Sequence, residues 1–370
     1  MTSFPPEWAN MRVALSHDWL TGMRGGERVL ELLCRAFPSA PVYALFADMA
    51  RVSDEIRSHE IRLSPLQHIP GITRFYRNLL PLYPLAVRAQ RPPEADLLIS
   101  TSHCAAKALR TRPGTKHICY CFTPMRYAWT FREEYLGGSR MKALFARPAL
   151  ALLRQWDRKT ASGVDHFVAI SRHVQDRILR FYGREADVIY PFVDTDRCTP
   201  GSEPHCGFDL IVSALVPYKR IDLAVEAYRR LGTPLLVVGT GTEFQRMQHN
   251  LPPNVEFCGW KSDADILELY RKCRLLVFPG EEDFGIVPLE AQACGKPVVA
   301  FGRGGALETI REGVTGMFFS EQTPEALESA VRACAARRWN AASIRAHAMT
   351  FGPDRFVDGI ASVIRRCIGR

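Results

Sequence analysis

Short apolar runs alternate with helix-like patterns along almost the whole chain, and this alternation is the feature that most constrains the fold. In the first half, the predicted strands are residues 12–16, 41–45, 95–100, 116–120, 166–170 and 186–190. In the second half, they are residues 209–213, 234–238, 254–258, 274–278 and 297–301. Strands separated by helices form mostly parallel sheets with helices on both faces. The predicted fold class is therefore α/β, with doubly wound parallel sheets.

The chain divides into two series of strands, separated by a segment rich in proline and turn-forming residues at 190–204. Because 370 residues are too many for one typical core, we expect two domains. The predicted limits are 1–195 for the first domain and 196–350 for the second. Residues 351–370 hold a last helical pattern with no strand after it, and we expect that helix to pack back on the first domain.

The excess of basic residues lies entirely in the first half of the chain. The net charge is +9; residues 1–195 hold 27 Lys and Arg against 18 Asp and Glu, and the remainder holds 21 of each. No nucleic-acid-binding motif or arginine-rich helix accompanies this charge, which argues against a nucleic-acid partner. Two segments, 74–85 and 141–150, mix basic with apolar and aromatic residues, as interfacial helices do. Their apolar faces are equally compatible with burial in the core.

The N-terminal residues have neither a basic start nor an apolar stretch, and no apolar run is long enough to span a bilayer. We therefore expect a cytoplasmic protein, held peripherally at the inner face of the cytoplasmic membrane by an anionic surface. The 11 cysteines show no paired spacing with histidines. We interpret them as reduced core thiols rather than metal ligands.

The stretch from Glu281 to Glu290 joins a predicted buried strand to a predicted helix start. Gly285 permits a close turn, and the free amides of a helix start attract phosphates. Glu282 and Glu290 flank this anion site. Because carboxylates repel a phosphate, their useful partners are the hydroxyls of a sugar or ribose. The stretch is typical of a loop that binds a sugar joined to a phosphate.

Further loops of the second half follow strands and should lie at the same edge of the sheet. Lys219 and Arg220 come between a strand and a helix start, where two cations can neutralise a diphosphate. Three glycine-containing loops, at residues 239–241, 259–260 and 302–305, follow three other strands. We expect all of them at one edge of the sheet.

In the first half, Gly25 and Gly26 end a loop that follows the first strand. We predict that they contact a ligand, with a structural turn as the alternative. The loop lacks the Gly-x-Gly-x-x-Gly pattern of dinucleotide-binding proteins. Asp194 and Asp196 are spaced like a metal-binding pair, but their place in the predicted linker favours a structural turn.

Together these motifs resemble the glycosyltransferase family 4 group, which are retaining enzymes of the two-domain GT-B architecture. The resemblance covers nearly the whole chain. Its most specific parts are the Glu282 and Glu290 pair, the Val-Pro-Tyr-Lys-Arg-Ile-Asp motif ending at Asp222, and the Gly-Gly-Ala-Leu-Glu run ending at Glu308. It implies two Rossmann-like domains facing a central cleft, with the acceptor bound by the first and a nucleotide sugar by the second.

Within that family, the chain looks most like the mannosyltransferases of bacterial lipopolysaccharide O-antigen and other polysaccharides. The narrower similarity lies in the Gly25-Gly26-Glu27 loop and in residues 120–129. It implies mannose from GDP-mannose as the donated sugar and a lipid-linked saccharide as acceptor.

The resemblance also implies a role for each matching residue. Glu282 would hold the donor sugar as a catalytic residue, Glu290 the ribose, and Lys219 with Arg220 the diphosphate. No metal or other cofactor would be needed, because the cations and the helix dipole replace it. The remaining donor contacts implied are phosphate-binding groups at Gly25, Gly26, Phe284, Gly285 and Ile286, and base-binding groups at Gly259 and Trp260.

Two positions depart from the family pattern. Ala214 stands where many members have an arginine, and Arg220 is the candidate substitute. Phe122 stands where related sequences often have a histidine, which raises the question of how the acceptor is activated. A retaining transfer does not require a strong protein base, since the departing phosphate oxygen can accept the proton.

The acceptor-side candidates are His103, Phe122 and Arg126. His103, at a strand end, is also a candidate catalytic residue; a helix cap or a core histidine is the equally weighted alternative. Arg126 either binds an acceptor phosphate or pairs with Glu133 or Glu134 on a helix face.

Three functions follow from the sequence. The leading one is transfer of a sugar, mannose from GDP-mannose, to a lipid-linked or polysaccharide acceptor in cell-surface polysaccharide biosynthesis. The second is a UDP-sugar-dependent transferase or a nucleotide-sugar epimerase of the same fold. The third is a non-catalytic nucleotide-sugar-binding partner of a polysaccharide assembly complex, suggested by Phe122 and Ala214.

Overall fold

The computed structural model describes residues 3–129, 140–203 and 205–369, the side chains of residues 140–146 excepted. The chain forms two compact units, one of Met1–Pro191 with Phe356–Arg370 and the other of Phe192–Arg355. The sequence predicted domain boundaries after residues 195 and 350, whereas the units divide after residues 191 and 355. Each unit contains one parallel sheet.

The first unit is a seven-stranded parallel sheet with the strand order β3-β2-β1-β4-β5-β6-β7. Its central strands are almost completely buried, as expected for strands covered on both faces. The order reverses between β1 and β4, which creates a switch point where the following loops diverge. The strands are β1 Val13–His17, β2 Val42–Ala44, β3 Ile61–Leu63, β4 Leu97–Ser102, β5 Lys116–Cys121, β6 His166–Ala169 and β7 Ala186–Val188.

Helices and short 3₁₀ turns connect these strands. The longest described helix has its apolar residues interrupted by several arginines, and Pro148 lies inside it. The helices are α1 Gly25–Ala36, α2 Asp54–Arg57, α3 Ile72–Phe75, α4 Tyr83–Ala89, α5 Arg126–Trp129, α6 Arg140–Ala161 and α7 Arg172–Tyr182; the 3₁₀ turns are Pro6–Asn10, Met49–Arg51, Pro65–His68, Tyr76–Leu82 and Ala106–Ala108.

The second unit is a six-stranded parallel sheet with the order β10-β9-β8-β11-β12-β13, and its order reverses between β8 and β11. Leucine, valine and alanine side chains from α8, β9 and α13 fill its core. The strands are β8 Asp209–Val212, β9 Leu235–Val238, β10 Val255–Gly259, β11 Leu276–Phe278, β12 Val298–Phe301 and β13 Gly316–Phe319. The helices are α8 Ile221–Leu231, α9 Phe244–Gln248, α10 Asp263–Lys272, α11 Ile286–Ala293, α12 Ala306–Thr309, α13 Pro324–Ala336 and α14 Ala341–Met349, with a 3₁₀ turn at Pro217–Lys219.

The last helix, α15 Pro353–Ile368, belongs to the first unit from Phe356 onward. The Phe356 ring packs edge-on against Tyr120, with centroids 5.4 Å apart. Gly359 lies against Ile189, where an added Cβ would be 3.0 Å from the isoleucine side chain. These contacts attach the C-terminal helix to β5 and to the end of β7.

The structure confirms the predicted fold class of two doubly wound parallel α/β domains. Two strands, β3 and β13, were not predicted. One prediction about the first loop is wrong: Gly25 and Gly26 do not lie in a loop but are the first two residues of α1. Glu27 Oε2 accepts from the amide of Arg24 at 3.2 Å, and the helix starts two residues earlier than the apolar pattern indicates.

His117, buried in β5, gives the first unit a predicted pH dependence. Its Nε2 lies 2.8 Å from Ser100 Oγ, and burial lowers the pKa of His117 from its ordinary 6.5 to about 4. Because the unfolded chain takes up this proton at a higher pH than the folded chain, stability falls as the pH drops from 6.5 towards 4. We expect this histidine alone to remove about 3 kcal/mol over that interval.

Chemical denaturation of the wild type and of a His117→Gln variant over this pH range measures the effect. Comparing slopes removes the contribution of carboxylates, which is common to both proteins. The variant should show a flatter dependence of unfolding free energy on pH. Parallel curves for the two proteins would contradict the assignment.

Candidate active site

Lys219 and Glu282 meet at the carboxyl edge of the second sheet. They follow β8 and β11, the two strands between which the order reverses, and ligands of doubly wound sheets bind at such a point. Lys219 Nζ pairs directly with Glu282 Oε1, and the two side chains are 17% and 14% exposed. The sequence assigned both residues to one ligand, but the direct ion pair between them is a finding of the structure.

Backbone contacts fix the shape of the loop that carries Glu282. The amide of Gly305 donates to the carbonyl of Glu282 at 2.8 Å. An added Cβ on Gly305 would lie 2.2 Å from Phe284 Cα, and one on Gly280 would lie 2.8 Å from Lys219 Cα. Only glycine can therefore occupy these two positions. The loops after β8, β11 and β12 are in direct backbone contact.

Two helix starts beside this pair have no side-chain cap within the part of the chain that is described. These are α8, preceded by Arg220, and α11, preceded by Gly285 with φ +98°. In contrast, α10, α13 and α14 are capped by the side chains of Ser262, Thr323 and Asn340. The first-turn amides of α8 and α11 thus remain available to an anion, which supports the phosphate role predicted for residues 284–286.

Arg220 adopts a left-handed backbone conformation, with φ +53°, and is the one non-glycine residue to do so in the described ranges. Its guanidinium donates to Gln322 Oε1 at 3.2 Å and to Asp222 Oδ1 at 3.4 Å. Gln322 in turn donates to the carbonyl of Pro279, which precedes the Glu282 loop. Such a conformation costs about 1 kcal/mol, and strained residues of this kind concentrate at functional sites.

The strain at Arg220 can be tested by comparing two substitutions. Arg220→Gly and Arg220→Ala both remove the guanidinium, but only glycine adopts this conformation without a steric cost. We expect the glycine variant to be more stable than the alanine variant by about 1 kcal/mol in urea denaturation of the second unit. If alanine were the more stable, the left-handed backbone at this position would be excluded.

Glu290, the predicted ribose ligand, is held by two neighbours. Tyr270 donates its hydroxyl to Glu290 Oε2 at 2.9 Å, and Arg197 Nη2 lies 3.3 Å from Glu290 Oε1. The carboxylate remains 20% exposed. Burial, with the charge of Glu290 adding to it, raises the pKa of Tyr270 and keeps its hydroxyl a donor. The Glu290 side chain is therefore fixed in position before any ligand arrives.

Sequence reasoning missed Arg197 because it lies in the segment predicted to be a linker. That segment is packed on the second unit. Arg345 donates to the carbonyls of Cys198 and Ala293 at 2.7 and 2.6 Å. Charged residues in a turn-rich segment indicate that ion pairs can form there. The sequence does not show that the partner of Arg197 is Glu290, which is 93 residues away.

No group of three or more metal-ligating side chains occurs in the described residues. Asp194 Oδ1 accepts from the amide of Arg197 at 3.0 Å. This hydrogen bond confirms the predicted structural turn.

Gly259 and Trp260 lie at the end of β10, an edge strand two positions from β8. With neighbouring strands about 4.8 Å apart, this places them about 10 Å across the sheet edge from the β8 loop. Gly259 has φ +67°, and the Trp260 side chain is 76% exposed. Their predicted role in binding a base remains a prediction.

In the first unit, Asp18 accepts a set of hydrogen bonds at the switch point beside β1. It is fully buried and accepts from the amides of His103, Ala105 and Ala106 at 2.5–2.6 Å. His103 Nδ1 lies 2.9 Å from Asp18 Oδ2. Burial alone would raise the pKa of Asp18, but the charge and hydrogen bonds of His103 hold it well below the usual range. The sequence reasoning missed Asp18; its place directly after a buried strand was the available signal.

His103 and Phe122 lie together at this edge, with ring centroids 6.4 Å apart. His103 is 29% exposed and also packs edge-on against Trp19, at 4.7 Å. Gly26 approaches them, since an added Cβ there would lie 3.2 Å from the Phe122 ring. His17, behind Phe122, is buried, and that burial lowers its pKa. The structure thus brings Gly26, His103 and Phe122 together.

Arg126 begins α5 and is half-buried. Its predicted alternative partners, Glu133 and Glu134, lie outside the described residues. The choice between an acceptor phosphate and a helix ion pair stays a prediction.

The two segments predicted as interfacial or core have mixed exposure. In residues 74–85, Tyr76 and Tyr83 are core residues, whereas Leu82 and Leu85 are 42% and 66% exposed. Of residues 141–150, the side chains of 141–146 lie outside the described part. No helix in the described part of the chain is both long and apolar enough to cross a membrane.

Two glycosyltransferase family models match the chain, one in each half. The model described as Glycosyltransferase Family 4 matches residues 23–197, and the model described as Glycosyl transferases group 1 matches residues 208–345. The chain carries a family 4 and a group 1 glycosyltransferase domain. The family 4 match includes His103 but begins after Asp18, and the group 1 match includes both Lys219 and Glu282.

Curated relatives match part of this chain and part of their own length. A D-inositol 3-phosphate glycosyltransferase from Geodermatophilus obscurus is 32% identical over 56% of this chain and 53% of its own length. An uncharacterized glycosyltransferase from Methanocaldococcus jannaschii is 27% identical over 48% of this chain and 52% of its own. The chain thus spans about half the length of the curated relatives it matches.

Solved structures share the fold over nearly the whole chain. HepE from Anabaena, in complex with UDP and glucose, has a TM-score of 0.71 at 19% identity, covering 96% of this chain and 100% of that one. Sucrose-phosphate synthase from Thermosynechococcus elongatus has a TM-score of 0.72 at 17% identity, covering 96% and 98%. At these identities the likeness establishes the fold alone.

Proposed function

We propose that this chain transfers a hexose from a nucleoside diphosphate sugar to a lipid-linked saccharide or polysaccharide acceptor, with retention at the anomeric carbon and without a metal. The observation that carries the proposal is the Lys219–Glu282 pair at the switch point of the group 1 domain. A cation, a carboxylate and two uncapped helix starts together suit a ligand that has both a diphosphate and hydroxyl groups.

In the proposed mechanism, the diphosphate takes the place of Glu282 as the partner of Lys219. Lys219 and the amides at the start of α11 then stabilise the negative charge that develops on the leaving phosphate. Glu282, released from the lysine, accepts hydrogen bonds from hydroxyls of the sugar. Glu290, fixed by Tyr270 and Arg197, accepts those of the ribose.

The proton of the acceptor hydroxyl passes to the departing phosphate oxygen in this proposal. No strong protein base is then required, which accommodates Phe122 where related sequences often have a histidine. His103, paired with the ionised Asp18, is proposed to orient the acceptor.

Two donors are proposed for testing. GDP-mannose follows from the sequence resemblance to polysaccharide mannosyltransferases. A UDP-sugar is the second candidate, favoured by the solved structures of HepE with UDP and with UDP-glucose. The relatives named D-inositol 3-phosphate glycosyltransferase suggest a phosphorylated polyol as an additional acceptor to include.

The deciding experiment incubates the purified chain, with a chelator present, with GDP-mannose or UDP-sugars and with extracted lipid-linked acceptors or inositol 3-phosphate. Mass spectrometry detects transfer, and nuclear magnetic resonance reports the anomeric configuration. We expect one donor to be transferred with retention, and Glu282→Gln to lose that activity. Conversion of the donor without an acceptor would support an epimerase. Calorimetric binding without turnover would support a non-catalytic partner.

A further inference from the structure

A shallow groove lies on the helical surface of the first unit, with a volume of about 530 Å³. Most of its lining comes from α6, one of the helices that cover the sheet, rather than from loops at the carboxyl edge of the sheet. We call it the basic groove, and its lining residues are Trp129, Arg154, Gln155, Arg158 and Lys159.

Trp129 is a fixed aromatic surface within the basic groove. Its indole Nε1 donates to Asp157 Oδ2 at 2.7 Å. Its ring stacks on Phe181 of α7, with centroids 4.7 Å apart and an interplanar angle of 20°. Both restraints come from inside the unit, so the ring is held in place without any ligand.

Two guanidinium groups lie over this one ring. The Cζ atoms of Arg154 and Arg158 are 5.5 and 5.7 Å from the centroid of Trp129. Each arginine is anchored through Nε, to the carbonyl of Ala128 at 2.6 Å and to that of Phe181 at 2.9 Å. Within these two guanidinium groups, only the Nε atoms make hydrogen bonds to described residues. Two like charges so close to each other favour an anion between them.

The acidic residue nearest in sequence cannot supply that charge. Asp157 is fully buried, and its oxygens are bound by Lys107, Trp129 and Tyr182. Within residues 3–129, 140–203 and 205–369, no carboxylate pairs with Arg154, Arg158 or Lys159. The groove therefore presents three cations that have no carboxylate partner among the described residues.

An exposed leucine lies beside the cations on α6. Leu152 is on the same helix face as Gln155 and Lys159, and it is 67% exposed. A solvent-exposed leucine beside cations and an aromatic ring is typical of a surface that meets the headgroup layer of a bilayer. A free phosphate in solution would gain nothing from this leucine, whereas a lipid would.

We propose that the basic groove binds the phosphate of an anionic lipid headgroup, with Leu152 entering the boundary of the acyl chains. Arg154, Arg158 and Lys159 supply the charge, and Trp129 supplies the rigid wall. This assigns membrane contact to one site in the first unit, and it does not depend on the proposed transferase activity.

The test measures sedimentation of the full chain with vesicles of phosphatidylcholine, with and without phosphatidylglycerol, at low salt. We expect binding only with phosphatidylglycerol, and loss of binding as salt is raised. Lys159→Glu should weaken binding at least about fivefold, since a cation near an anionic surface contributes roughly that factor. Arg91→Glu, an equal charge change at another exposed site of the first unit, is the matched control and should stay within about twofold.

Leu152→Ser tests the apolar contact separately from the charge. It changes no charge, and we expect it to weaken vesicle binding as well. Circular dichroism confirms that these exposed substitutions leave the chain folded. Equal losses for Lys159→Glu and Arg91→Glu, or equal binding to vesicles without phosphatidylglycerol, would overturn the proposal. Calorimetric binding of inorganic phosphate that Lys159→Glu abolishes, without vesicle binding, would overturn the assignment to a lipid. None of these measurements uses a sugar donor.

Discussion

Replacing Lys219 with methionine is expected to reduce kcat/KM for sugar transfer by a factor of 10² to 10³. The substitution keeps most of the side-chain length but removes the cation proposed to stabilise the leaving phosphate, and the loss of one such electrostatic contact has effects of this size. Because that charge develops in the transition state, most of the effect should fall on kcat rather than on KM. Steady-state kinetics with the donor identified by transfer assays measures both.

Two variants control this experiment. Lys272→Met removes an exposed cation at the end of α10, in the same unit, and should leave kcat unchanged. Lys219→Arg keeps the charge and should recover part of the activity. A Lys219→Met protein with kcat/KM within about threefold of the wild type would contradict the phosphate role of Lys219.

Replacing Asp18 with alanine is expected to destabilise the first unit by about 3–5 kcal/mol. The substitution leaves three amides, two of them buried, without their acceptor and removes the partner of His103. Denaturant unfolding measures the loss. Asp54→Ala, which removes a carboxylate that is 94% exposed, should change stability by no more than about 0.5 kcal/mol.

The stabilisation by Asp18 should also decrease at acidic pH. Its pKa in the folded protein is held below the value of 3.8 that an unperturbed aspartate has. Its contribution is therefore fully present above pH 4 or so and declines as the pH falls further. If Asp18→Ala and the wild type lost stability in parallel on acidification, folding would not lower the pKa of Asp18.

Most of the fold could be predicted from the sequence, because buried parallel strands consist of continuous apolar runs and each run is followed by a turn. The two strands that were missed, β3 and β13, are both edge strands. Ile61–Leu63 has an arginine at its centre, and Gly316–Phe319 begins with glycine. Such strands form because a neighbouring strand offers hydrogen bonds, which a local pattern does not reveal.

The site could be predicted only loop by loop. Local chemistry was enough to assign Lys219 and Glu282 to a ligand. Their direct pairing depends on β8 lying beside β11, and the strand order cannot be predicted from the sequence. The same holds for Asp18 and His103, which are 85 residues apart. Local motifs indicate which side chains can bind a ligand; the topology determines which of them touch.

The backbone contacts at Gly280 and Gly305 bear on attempts to redesign this chain. Since the loops after β8, β11 and β12 touch main chain to main chain, lengthening one of them or replacing either glycine would displace the other two. Variation of donor preference should therefore be sought in side chains that project from the loops, such as the exposed Trp260, rather than in the loops themselves. In a laboratory evolution experiment, we expect insertions to be excluded from these three loops while substitutions at Trp260 persist.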